Sequence, residues 1–143
     1  MRITLLSLVS LISLTFAISG CDTAETAGVT LVGVYEGDYT SFANGAQGTI
    51  AVTLPTVADE SAFTWTALGE FEVNGTTSPF SLSGTGVYIY PEMSLTIIGT
   101  NSVPNRTLTG TVSADGRSFR VTQNEVLIGS STFEEIDVSR TGN

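Results

Sequence analysis

The sequence predicts an all-β protein, an antiparallel up-and-down meander of about eight strands that closes into a small β-barrel, with a β-sandwich as the alternative. Three observations carry this. From Leu31 onward, apolar residues alternate with Thr, Ser and Glu at period two, and no segment keeps a helical period. The runs are separated by Asn-Gly, Asp-Gly and short polar stretches, which supply the positive φ of tight hairpin turns. Glycines recur inside the runs, at Gly33, Gly37, Gly69, Gly84, Gly86 and Gly110, where they weaken a flat strand but allow the bends of a closing sheet.

The first strand is expected over 32–42 and contains Tyr35 and Tyr39. Asn44-Gly45 divides it from the second, over 48–54, where Ile50, Val52 and Leu54 alternate with Thr49, Ala51 and Thr53. The third, over 62–73, is the clearest: Phe63, Trp65, Ala67, Phe71 and Val73 share one face, and Thr64, Thr66, Glu70 and Glu72 the other. Asn74-Gly75 turns the chain into the fourth, over 77–89. The fifth, over 93–99, sets Met93, Leu95 and Ile97 against Ser94 and Thr96. The sixth, over 106–114, sets Leu108, Gly110 and Val112 against Thr107, Thr109 and Thr111, and Asp115-Gly116 follows it. The last two cover 118–127 and 131–140. Connections this short make consecutive strands antiparallel neighbours, and closing the meander removes its aggregation-prone edges. An immunoglobulin-type sandwich lacks support, because the paired cysteines around a core tryptophan are missing.

The N-terminus has the layout of an export signal: one positive charge at Arg2, an apolar stretch from Ile3 to Ile18 diluted by Ser and Thr, then Ser19-Gly20. It is too short and too serine-rich for a spanning helix, and no basic stop-transfer cluster follows. Cys21, the only cysteine, comes next. A lone thiol staples no fold, so this position reads as a processing and lipidation site. Ile18-Ser19-Gly20-Cys21 resembles the lipobox of bacterial lipoproteins, in which an aliphatic residue, two small residues and an invariant Cys guide lipid transfer and cleavage. The resemblance implies a diacylglyceryl group on Cys21, cleavage after Gly20 and a further acyl group on the new N-terminus. Two or more chains hold a protein stably at a bilayer surface, so the mature protein is expected to be tethered to the inner or outer membrane with its domain outside the cytoplasm. Residues 1–20 are then the signal peptide, 21–30 the lipidated terminus and a flexible tether, and 31–143 the barrel domain.

The opening Leu31-Val32-Gly33-Val34-Tyr35-Glu36-Gly37, together with the strand count, resembles the first strand of calycin-type barrels such as lipocalins and avidins. That resemblance implies a ligand cavity. The expected lining is Tyr35, Tyr39, Phe63, Trp65, Phe71 and Tyr88, whose rings would surround a small apolar ligand or else simply fill the barrel.

Composition narrows the chemistry. The chain carries 14 acidic residues against 5 basic ones and has a net charge of −9; once Arg2 leaves with the signal, four arginines remain and the net charge is −10. Nucleic acid and anionic headgroups both need basic patches, so neither is an expected partner. No histidine occurs and all the basic residues are arginines, which removes Ser-His-Asp, Cys-His and lysine-dependent catalysis as well as ordinary zinc sites. The carboxylates Glu36-Asp38, Asp59-Glu60 and Glu134-Glu135-Asp137 are expected as solvated charge on the wet face, and Arg106, Arg117 and Arg120 as surface residues. No catalytic residue, metal ligand or cofactor is expected beyond the covalent lipid. The expected function is a non-catalytic interaction module of the envelope that docks another component through its rim or an open edge, with a carrier for a small apolar ligand as the alternative.

Overall fold

In a computed structural model the chain is an antiparallel barrel of eight strands, and the structure describes residues 28–41, 46–100, 104–127 and 130–142. The strands are β1 (Leu31–Ser41), β2 (Ala46–Val57), β3 (Ser61–Val73), β4 (Thr76–Ile89), β5 (Glu92–Ile97), β6 (Arg106–Val112), β7 (Ser118–Leu127) and β8 (Ser130–Arg140). Each pairs with its neighbour in sequence, and β1 also pairs with β8, from Tyr35↔Arg140 to Ser41↔Glu134. The sheet therefore closes on itself. The sandwich alternative lapses, and where β1 and β8 pair neither leaves an open edge. The expected signal segment, Cys21 and the expected turn at Asn44-Gly45 lie outside the described residues.

Alternation decides which side chains fill the interior. On β3, Phe63, Trp65 and Ala67 are buried while Thr64, Thr66, Leu68, Glu70 and Glu72 face out, as the period-two pattern requires. Tyr35, Val52, Tyr88, Leu95, Leu108, Phe119, Val121 and Ile136 join them in one continuous core. Phe63 lies over Gly86 on the facing strand, where a methyl group would collide with its ring. The Trp65 indole N–H donates to the Thr85 carbonyl at 3.1 Å, so its polar edge is satisfied.

Outward positions carry mainly Thr, Ser, Glu and Asp, with Thr96 and Thr107 joined hydroxyl to hydroxyl at 2.8 Å across β5 and β6. A barrel that crosses a bilayer needs an apolar outer band about 25 Å tall, and this wall has the opposite polarity.

Two departures from regular pairing have local causes. β2 runs past the expected end at Leu54, because Leu31 pairs with Val57 while Gly33 pairs with Leu54. The extra residue is a bulge that contains Pro55, which has no N–H to give to a ladder and is tolerated there. Gly33, at the matching point of β1, takes φ +104°, a value that a residue with a Cβ adopts only with strain. The Asn74-Gly75 hairpin has φ of 51° and 77°, the twisted two-residue turn its sequence predicts.

Candidate functional site at the barrel mouth

The two ends of the barrel differ. One end holds the start of β1, the turns 58–60, 90–91 and 113–117, and the end of β8. It is plugged. Leu31 is fully buried, Val29 packs against Gly116, and the Tyr35 hydroxyl donates to the Gly116 carbonyl at 2.9 Å. The Tyr35 ring stacks obliquely on Phe119 with centroids 5.2 Å apart. The Tyr88 hydroxyl lies in the same region and has no hydrogen-bond partner among the described residues. Burial pushes the Tyr35 and Tyr88 hydroxyls above the usual tyrosine value.

At the opposite end, the mouth, the inward positions Phe71, Phe80, Leu82 and Arg106 are half-exposed, and two charged side chains join the apolar ones. Glu134 on β8 points into the barrel and is only 6% exposed, the one charged residue buried among the described residues. Its Oε1 accepts from the Tyr39 hydroxyl at 2.7 Å and from Arg106 Nη2 at 2.8 Å, while Arg106 Nε donates to Oε2. The carboxylate is thus gripped in a fork by one guanidinium and capped by a phenol. Burial, and after it the hydrogen bond to Glu134, pushes the Tyr39 hydroxyl up to about 12. The bond to Glu134 holds the Arg106 guanidinium charged more firmly still, against the opposing effect of its partial burial. Beside this group Tyr39, Phe80 and Phe71 form an aromatic shelf, with ring centroids 4.9 Å and 5.6 Å apart, and Leu82 packs against the same core.

This corrects the expectation for Glu134 and Arg106. Neither is a solvated surface charge, whereas Arg120 lies on the outer wall as expected and bonds Glu135 at 2.7 Å. The signal was present in the alternation: Ile136 and Val138 face inward, so parity puts Glu134 inside, and Leu108 and Val112 do the same for Arg106. Two opposite charges assigned to one interior must meet, because either alone would be too costly to bury.

The six residues expected to line a cavity separate into two groups. Tyr35, Trp65 and Tyr88 are at most 2% exposed, and Phe63 packs with them in the close-packed core. Tyr39 and Phe71 are at the mouth. Among the described residues the outer wall carries an open groove of about 870 Å³ over β8, β1, β2, β3 and β4. No cluster of three or more metal-ligating side chains occurs among the described residues.

Fold and site together define a closed, polar-walled, eight-stranded barrel with one end plugged and a buried ion pair at the other. No protein-family model matches the chain, and neither a curated protein nor a solved structure matches it significantly.

Proposed function

We propose that this chain is a lipid-anchored protein of a bacterial cell envelope, in which Cys21 carries the lipid and the barrel is a non-catalytic interaction module. The lipobox-like Ile18-Ser19-Gly20-Cys21 is the observation that carries the reading. Gly28 lies against Asp59 in a turn of the plugged end, so the attachment to Cys21, seven residues earlier, is on that side and leaves the mouth and flanks free for contact. A polar wall gives the barrel no apolar means of holding a membrane, which leaves that task to the lipid. The non-catalytic part of the reading rests on the missing histidine and lysine and on the full engagement of Glu134 by Arg106 and Tyr39.

A second reading, a carrier of a small apolar ligand, is favoured by the half-buried Phe71 and Phe80 beside Tyr39. Close packing of Tyr35, Trp65 and Tyr88 would confine such a ligand to the mouth. A carrier binds an environment-sensitive apolar dye there, a property the interaction module does not need.

The anchoring is tested by fractionating cells that express the wild type or Cys21→Ser. The wild type is expected in the membrane fraction and labelled by a fatty-acid probe, and the substituted protein unlabelled and released or unprocessed. Labelled Cys21→Ser protein would overturn the reading.

A further inference from the structure

The outer wall is divided in charge. Outward positions of β8, β1 and β3 carry Glu135, Asp137, Glu36, Asp38, Glu70 and Glu72. From Thr77 through Thr111, outward strand positions carry hydroxyls, Pro79 and aliphatic side chains, with Glu92 the one carboxylate among the described residues. The acidic half also contains the open groove of about 870 Å³, lined by Glu36, Asp38, Leu68, Glu70, Pro79 and Arg140. Leu68 is 68% exposed, more than the other exposed large hydrophobics, Val34, Val87, Ile89 and Ile98.

Two inward-facing glycines lie beneath the groove. A methyl group on Gly37 would collide with the Asp137 carbonyl, and one on Gly69 with the Thr49 carbonyl and the Phe80 ring. Strands that approach this closely bend inward, and the outer surface above them becomes a saddle.

The charge in the saddle is poorly compensated. Glu36, Asp38 and Glu70 have no ion-pair partner among the described residues, and Arg140 at one end is the single cation against them. Asp38 sits directly opposite Asp137 across β1 and β8, a like-charge pair that costs stability. Arg120 lies 3.9 Å from Asp137 but bonds Glu135 more closely.

We propose that this saddle is a docking site for a cationic, extended peptide segment of another protein, whose basic side chains meet Glu36, Asp38 and Glu70 while an apolar side chain covers Leu68. Sign excludes the rival occupants: a second copy brings the same carboxylates, and nucleic acid or an anionic membrane adds more negative charge. The groove lies along the flank of the barrel, accessible whichever way the plugged end faces. The proposal rests on the interaction-module reading and gives it a partner chemistry.

The test uses the purified full-length protein in neutral detergent and a fluorescein-labelled nonapeptide of alternating Arg and Leu, read by fluorescence anisotropy. An alternating Glu and Leu nonapeptide and protein-free micelles are the controls. The Arg-Leu peptide is expected to bind, the Glu-Leu peptide not to bind, and Leu68→Ser combined with Glu70→Gln to weaken binding by about tenfold or more. Both substituted side chains are exposed, so the barrel is expected to keep its melting curve. Glu92→Gln, on the neutral half, is expected to change affinity by less than about twofold. Wild-type affinity in the groove variant, equal losses in Glu92→Gln, or equal binding of the Glu-Leu peptide would each overturn the proposal. The readout is independent of acylation: peptide binding without label on Cys21 would refute the anchor and leave the groove standing, and the reverse would refute the groove alone.

Discussion

Tyr39 makes the stability of the barrel depend on pH in the alkaline range. Its hydroxyl donates to Glu134 from inside the wall, so ionising it sets a second negative charge against a carboxylate in a poorly solvated place. The ordinary tyrosine value is 10.0, and in the folded barrel Tyr39 is pushed up to about 12. A group that holds its proton more tightly when folded contributes fully below pH 10 and loses that contribution as pH rises through 12. A difference of this size corresponds to about 2.7 kcal/mol. Denaturant melts at rising pH should therefore show the wild type losing stability above pH 10 and Tyr39→Phe losing less, by roughly 2 to 3 kcal/mol. Tyr35 and Tyr88 are raised in both proteins, so the difference isolates Tyr39. Identical profiles would contradict the assignment.

Among the strands, the pairing of β6 with β7 is the short one. It runs from Val112↔Phe119 to Thr109↔Thr122 and stops, although β6 continues against β5 to Arg106 and β7 continues against β8 to Leu127. The Arg106 side chain reaches past β7 to Glu134 on β8, so the ion pair ties together strands whose ladder ends short of the mouth. Breaking a buried pair from one side leaves a stranded charge, whereas replacing both partners with apolar groups does not. Glu134→Ala is expected to cost about 2 to 4 kcal/mol, reduced from the deeply buried case because the Arg106 side chain is 25% exposed. Arg106→Met with Glu134→Leu in a Tyr39→Phe background, where no phenol is left without its acceptor, is expected within about 1 kcal/mol of Tyr39→Phe alone. Destabilisation of that variant equal to that of Glu134→Ala in urea melts would show that the pair contributes more than charge neutralisation.

The same strands show what the sequence could and could not reveal. Period two placed Phe63, Trp65 and Ala67 inside and Thr64 and Thr66 outside, and the Asn74-Gly75 turn followed from its φ requirement. Strand ends were less legible. Pro55 reads locally as a strand terminator, and only the pairing partner Leu31 shows that β2 carries a bulge there and continues to Val57. Parity was sufficient to turn Glu134 and Arg106 inward, but the expectation that charges are solvated outweighed it. The contact between them joins β6 to β8, a relation of the closed barrel that no local pattern encodes. The saddle over Gly37 and Gly69 depends in the same way on five neighbouring strands lying side by side.

For the whole molecule, closure and charge act together. A net charge of −9 on 143 residues, together with a sheet that closes β1 onto β8, keeps a small β-protein from pairing with its own copies. Most aliphatic and aromatic groups fill the interior, so the wall offers mainly hydroxyls and carboxylates, with single aliphatic side chains such as Leu68 among them. Such a body stays at a membrane only if something else holds it there, the task proposed above for a lipid on Cys21. The most direct measurement is intact-mass and peptide mass spectrometry of the protein extracted from membranes. The account predicts a chain that begins at Cys21 and carries a diacylglyceryl thioether on that residue. A chain that retains residues 1–20, or one that begins elsewhere with an unmodified thiol at Cys21, would contradict it.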